Sequence, residues 1–262
     1  MSFPEFLEAA GQRLEARWIG PPPEEAPTLV FLHEGLGCAA LWKDFPDRVA
    51  NFTGFGALVY SRRGYGASDP VPLPRPVRFM HDEAWEVLPA VLDVARVRHA
   101  VLVGHSDGAS IALLHAARDH SGRVRGVAAL APHVFVEDRT VRSIAGIAET
   151  YRTTDLREKL ARYHGENVDG AFWGWNRVWL DPGFRAWNIE DEIPKIEVPL
   201  LVVQGADDEY GTLAQVESIA DHARAPVEVA ILERCGHAPQ VSRPVATLEA
   251  VAAFALRVAA TV

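Results

Sequence analysis

The chain has 262 residues, 48% of them hydrophobic, and a formal net charge of −9 at pH 7, which suits one domain with a sizeable buried core. The acidic balance, without any run of basic residues, argues against nucleic acid or a membrane surface as partner. Two distant cysteines, Cys38 and Cys235, indicate free thiols; the opening Met1-Ser2-Phe3-Pro4-Glu5-Phe6 lacks a basic region followed by an apolar core, so a cytoplasmic location is expected.

Taken in order, Leu14, Ala16 and Trp18 alternate with polar residues, which predicts an early strand paired as a hairpin with its neighbour, and Pro21-Pro22-Pro23-Glu24-Glu25 then reads as a turn. Residues 28–32 predict a strand ending in His33-Glu34-Gly35-Leu36-Gly37, and 57–60 another ending in Ser61-Arg62-Arg63-Gly64-Tyr65-Gly66-Ala67-Ser68. Residues 79–97 set Ala84, Val87, Leu88, Val91, Leu92 and Ala95 at helical spacing, a crossover helix that Pro89 is expected to bend. The run Ala100-Val101-Leu102-Val103 leads through Gly104-His105-Ser106-Asp107-Gly108 into a helical stretch. A serine on so sharp a strand-to-helix turn needs neighbours nearly free of side chain two residues away on either side, which Gly104 and Gly108 supply. The turn sets the Ser106 hydroxyl at a helix N-terminus, where free N–H groups can meet developing negative charge.

A strand over 124–130 follows. From 133 to 194 the strand-helix alternation gives way to a helical, polar pattern with Trp173, Trp175, Trp179 and Trp187. Strands over 199–204 and 227–232 then run into Gly205-Ala206-Asp207-Asp208 and Gly236-His237-Ala238-Pro239, and 244–258 reads as a closing helix. Strands alternating with helices imply a parallel sheet with right-handed crossovers. A serine nucleophile needs a base and the base an orienting acid; here Ser, Asp and His follow in that order, each on a loop after a strand.

That order, the serine turn, the His-Glu-Gly-Leu-Gly loop and the Ser-Arg-Arg-Gly-Tyr-Gly-Ala-Ser turn together resemble the α/β-hydrolase superfamily over nearly the whole chain. Glu34 stands where that family has a glycine, and Ser61 where it has an aspartate. The resemblance implies an α/β fold: a mostly parallel central sheet flanked by helices, with a core over 1–132 and 195–262 and a helical cap over 133–194 inserted after the sixth strand. It implies a triad of Ser106, His237 and Asp208, the acid being Asp208 rather than Asp207 because the family's acid lies three residues after the strand-ending glycine. An oxyanion hole would use the backbone N–H groups of Gly35 and Asp107, with His33 ordering the loop by a hydrogen bond and Cys235 packed nearby. A serine at the elbow excludes the haloalkane dehalogenase and epoxide hydrolase branches.

The expected chemistry is cleavage of a small-molecule carboxylic ester, thioester or lactone through an acyl-enzyme. Two alternatives stay open. One is a C–C hydrolase or a lyase similar to succinyl-hydroxy-cyclohexadiene-carboxylate synthase, the lyase needing arginines among Arg62, Arg63, Arg152, Arg177 and Arg185 to face the serine. A ligand receptor with an intact triad would bind without turnover. Trp173 and Trp175 are candidates for substrate contact, suggesting an aromatic or alicyclic substrate. Glu34 either faces away and pairs with Arg62, Arg63 or a backbone donor, or enters the pocket as an acid or a cation-binding group. The histidines show no shared ligand spacing, so neither metal nor cofactor is expected. The expected partner is a small-molecule substrate, and the sequence carries no signal of oligomeric state.

Overall fold

The structure is a computed structural model that describes residues 5–260. Met1 to Pro4, within the stretch read above as lacking a leader's pattern, lie outside the described residues. Eight strands form: β1 (Phe6–Ala9), β2 (Gln12–Ile19), β3 (Thr28–Leu32), β4 (Gly56–Tyr60), β5 (Ala100–His105), β6 (Val124–Leu130), β7 (Leu200–Gly205) and β8 (Val227–Leu232). They make one sheet in the order β1-β2-β4-β3-β5-β6-β7-β8, antiparallel from β1 to β4 and parallel from there on. Every residue of β3, β4, β5 and β7 is buried, because helices cover both faces of a parallel sheet. Alternate residues therefore feed two cores: Leu102 and Val30 join the larger, Val101, Val103 and Phe31 the smaller.

The helices are α1 (Phe45–Thr53), α2 (Phe79–Asp82), α3 (Leu88–Val94), α4 (Asp107–Ala116), α5 (Asp138–Thr153), α6 (Leu156–His164), α7 (Val168–Trp179), α8 (Ala214–His222), α9 (Pro239–Ser242) and α10 (Pro244–Ala259). α1 and α10 cover one face; α4, buried at every position, lies against the other. Its Ala109, Ser110 and Ala112 are small enough for that close approach, and each fully buried leucine or isoleucine there contributes about 1.5–3 kcal/mol. Between β6 and β7 the chain runs through α5, α6 and α7, within the stretch 133–194.

Two expectations are refined. The early strand β2 makes its hairpin with the short preceding β1, through Ala10 and Gly11, both at positive φ, and its other edge pairs with β4 rather than β3. Positive φ at both loop residues matches the twist of the strands a two-residue hairpin joins. The helix over 79–97 is broken: a five-residue π turn, Glu83–Val87, separates α2 from α3. Pro89 has no N–H to give, and its ring would meet the carbonyl four residues back, so the chain widens the turn before it.

Candidate active site

β5 delivers Ser106 at φ 53° and ψ −119° as the N-cap of α4. A Cβ at Gly108 would stand 2.0 Å from the Leu32 carbonyl oxygen and one at Gly104 2.3 Å from the Gly108 carbonyl oxygen, so neither position admits a larger residue. The turn is pinned by the Ser106 N–H, which donates to the Leu130 carbonyl at 2.9 Å. With β3 and β6 paired to β5 on either side, strain of this kind persists because the surroundings over-determine it.

Ser106 Oγ lies 2.9 Å from His237 Nε2, and His237 Nδ1 lies 2.8 Å and 3.0 Å from Asp208 Oδ2 and Oδ1. Asp208 also accepts from the N–H groups of Tyr210 (2.7 Å) and Gly211 (3.0 Å) and from Gln204 Nε2 (2.7 Å). Burial alone would raise the Asp208 pKa, but the His237 hydrogen bond and charge, with those two N–H groups, hold it below the usual carboxylate range. An ionised Asp208 only accepts, so His237 carries its proton on Nδ1 and presents a lone pair at Nε2 to the Ser106 hydroxyl. Asp207 is exposed and Asp208 is 1% exposed.

A second imidazole braces the loop that carries His237. His105 Nε2 donates to the His237 carbonyl at 2.7 Å, while its Nδ1 lies 3.1 Å from Gln240 Nε2 and 3.4 Å from Glu34 Oε2. Burial opposes a proton on His105, yet the Glu34 hydrogen bond and charge and the His237 carbonyl more than offset that and raise its pKa. Glu34, whose own burial opposes ionisation, is held below the usual range chiefly by His105.

His33 Nδ1 donates to the Glu34 carbonyl at 2.7 Å and its Nε2 accepts the Arg62 N–H at 3.0 Å. The Arg62 guanidinium bonds the carbonyls of His33 and Glu34. The Glu34 carboxylate therefore does not pair with Arg62; it lines the cavity over the serine. Ser61, standing in for an aspartate, is served by a carboxylate from another strand: its hydroxyl donates to Glu15 Oε2 at 2.6 Å and accepts from the Ala39 N–H at 2.8 Å.

A cavity of about 210 Å³ opens over Ser106, lined by Glu34, Gly35, Leu36, His105, Asp107, His133, Thr140, Ile144, Trp175, Trp179, Tyr210, His237 and Ala238. Gly35, Asp107, Glu34 and Trp175 thus line the same cavity as the serine. Trp173 does not: it packs on Tyr151 and Phe172 under the guanidinium groups of Arg152 and Arg177, and lines a separate groove with Arg75 and Asp181. At about 100° per residue, positions 173 and 175 of one helix cannot share a face, whereas 175 and 179 do. That spacing was the available signal for Trp179, which sequence reading missed. His133, Tyr210 and Thr140 reach the cavity from loop or helix starts with no pattern to announce them.

Asp107 is fully buried, accepts from Trp179 Nε1 at 3.1 Å through Oδ1, and has no partner for Oδ2 among the described residues; burial pushes its pKa up. None of Arg62, Arg63, Arg152, Arg177 and Arg185 lines the cavity. Arg63 donates to the Pro70 carbonyl and Arg185 pairs with Asp138. Cys235 is buried beside Gly236 and does not reach the cavity. Among the described residues no group of three His, Cys, Asp or Glu is arranged to hold a metal ion, and no helix is long and apolar enough to cross a membrane.

The model of an alpha/beta hydrolase family matches residues 29–250. A non-heme chloroperoxidase of Streptomyces lividans is 26% identical over 238 residues, covering 79% of this chain and 81% of that protein. Among solved structures, the enol-lactonase of Burkholderia xenovorans LB400 superimposes with a TM-score of 0.74 at 22% identity, over 95% of this chain and 99% of its own. A meta-cleavage product hydrolase of Pseudomonas fluorescens does so at 0.74 and 17% identity, over 97% and 98%. At such identities the likeness of the structures speaks for the fold.

Proposed function

The chain belongs to the alpha/beta hydrolase family, and from that premise we propose that it is a serine hydrolase that cleaves a small-molecule carboxylic ester, thioester or lactone through an acyl-enzyme. The observation that carries this reading is the continuous chain from Ser106 Oγ to His237 Nε2 at 2.9 Å and from His237 Nδ1 to Asp208 at 2.8 Å. In the reaction, His237 Nε2 takes the hydroxyl proton as Ser106 Oγ attacks the substrate carbonyl; the imidazolium so formed is stabilised by Asp208. The tetrahedral oxyanion is held by the N–H groups of Asp107, the first residue of α4 with no intrahelical acceptor, and of Gly35. His237 then returns the proton to the leaving group, and water repeats the sequence on the acyl-enzyme.

The helices of 133–194 act as a cap: Trp175, Trp179, Ile144 and Thr140 supply one wall of the cavity. At about 210 Å³ the cavity is smaller than the ~300–1,000 Å³ of sites for drug-sized ligands, which fits a short substrate. The lyase reading loses support because the arginines it requires are bonded elsewhere and none lines the cavity.

The test is hydrolysis of p-nitrophenyl esters from acetyl to octanoyl, plus benzoyl, by the parent and by Ser106→Ala. Turnover that vanishes in Ser106→Ala, with short acyl groups preferred, is the expected result. Turnover that survives the substitution, or none in the parent, removes the proposal.

A further inference from the structure

The loops that meet at the site are not equally well held. Ser106 follows β5, a strand paired on both edges, and its N–H donates to the Leu130 carbonyl of β6. His237 follows β8, which ends the sheet and pairs with β7 alone, so its loop has less around it to fix its position. Neither the N–H nor the carbonyl of His237 takes a backbone partner among the described residues. Each is met by a side chain instead: the N–H donates to Glu209 Oε2 at 3.1 Å, and the carbonyl accepts from His105 Nε2 at 2.7 Å.

His105 precedes the nucleophile in sequence and Glu209 follows the acid. The base is thus tied, through its own backbone, to the neighbours of the two residues that its ring must reach. The ring's own bonds do not suffice for that. Once Ser106 Oγ has bonded the substrate carbon it no longer donates to Nε2, and Asp208 alone holds the ring while Nε2 delivers a proton to the leaving group and then takes one from water. A misplacement of about 1 Å at that stage costs on the order of 10²-fold in rate.

Both side chains are themselves seated. The His237 carbonyl can only accept, so His105 carries a proton on Nε2, and the far side of its ring is flanked at Nδ1 by Gln240 Nε2 at 3.1 Å and Glu34 Oε2 at 3.4 Å. The Glu34 carboxylate lies over Gly37, where a Cβ would stand 2.4 Å from Oε2, and that of Glu209 lies over Gly236, where a Cβ would stand 2.9 Å from Oε2. Glu34, in place of the family's glycine, thereby links the Gly35 loop to the ring that holds His237.

We propose that His105 and Glu209 are positioning residues for His237, holding the backbone of the base at both of its polar atoms. This rests on the serine hydrolase reading and adds to its machinery. The substrate is p-nitrophenyl acetate, and kcat, KM and the urea midpoint are measured for each variant. Glu209 is exposed, so Glu209→Ala should keep the parent's midpoint while kcat falls roughly tenfold or more. Acylation and deacylation both run through His237, so they slow together and KM should stay within about twofold of the parent's. Glu209→Gln, whose amide oxygen accepts the same N–H, should recover kcat to within about threefold of the parent. His105→Leu should lose kcat in the same way, and His105→Gln, which keeps an N–H donor, should regain part of it; if the His105 variants do not fold, the Glu209 pair carries the test. Parent kcat in Glu209→Ala, a loss that Glu209→Gln does not recover, or a loss confined to KM overturns the inference and leaves the hydrolase reading intact. A parent without Ser106-dependent turnover overturns both.

Discussion

Asp207 and Asp208 are adjacent in sequence and opposite in environment. Asp208 gathers three backbone or amide donors and His237, whereas the Asp207 side chain is exposed and only its N–H is engaged, with the Cys235 carbonyl. Asp208→Asn would present an amide to His237 Nδ1 and favour the wrong tautomer, so kcat toward p-nitrophenyl acetate should fall by about 10⁴-fold. Asp207→Asn should leave it close to the parent value; equal losses in the two variants would refute the assignment of the acid. Ser106, Asp208 and His237 could be read from sequence because each sits on a short loop fixed by the strand before it. Glu34 could not be read, since its direction is decided by Arg62, which takes the carbonyls of residues 33 and 34 and leaves the carboxylate to His105. Nor could the Ser61 replacement, because the compensating Glu15 lies 46 residues away on another strand.

At the scale of elements, α7 is seated directly on the loop that holds Gly35. A Cβ on Gly35 would stand 2.1 Å from Trp175 Nε1, so the indole occupies the space that any larger residue would need. Gly35→Ala should therefore destabilise by about 1–3 kcal/mol through overpacking and lower activity by displacing α7 or the loop. Trp175→Ala removes the collision. The double variant should be more stable than the sum of the single losses predicts, a coupling of roughly 0.5–3 kcal/mol in urea denaturation. Strict additivity would show that the contact is not under compression. α5 is tied down in a similar way: Arg139, Thr140 and Ser143 donate to the carbonyls of Asp208, Tyr210 and Glu209, so the helical insertion steadies the loop of the acid. The periodicity of α5 and α7 could be read in sequence, but not these contacts, which join residues about 70 apart. The π turn before Pro89 was foreshadowed by the proline, though its form depends on how the chain absorbs a missing donor.

Across the whole molecule, burial of histidines leaves a mark on stability. Burial, with the nearby His237 and His105 charges adding to it, takes the His133 pKa from its ordinary 6.5 down to about 3. His33, His115 and His164 are lowered too, chiefly by burial. Between pH 6.5 and 3 the unfolded chain binds a proton at His133 that the folded chain refuses, so stability is full above the unfolded value and declines as pH falls. His105, whose pKa is raised, acts in the opposite sense: its contribution is present at low pH and lost as pH rises through its folded value. With His81 also lowered by burial, five histidines are lowered against one raised, so the urea midpoint should fall from pH 7 to pH 5, each unbalanced proton costing about 1.4 kcal/mol per pH unit. His133→Gln keeps a polar side chain of similar size and cannot titrate. Whatever it does to the midpoint at pH 7, its dependence on pH between 6 and 4 should be shallower than the parent's by close to one proton. An unchanged slope would mean that His133 takes up its proton in the folded state as it does in the unfolded one, and that the cavity over Ser106 is open to water rather than sealed by the rings around it.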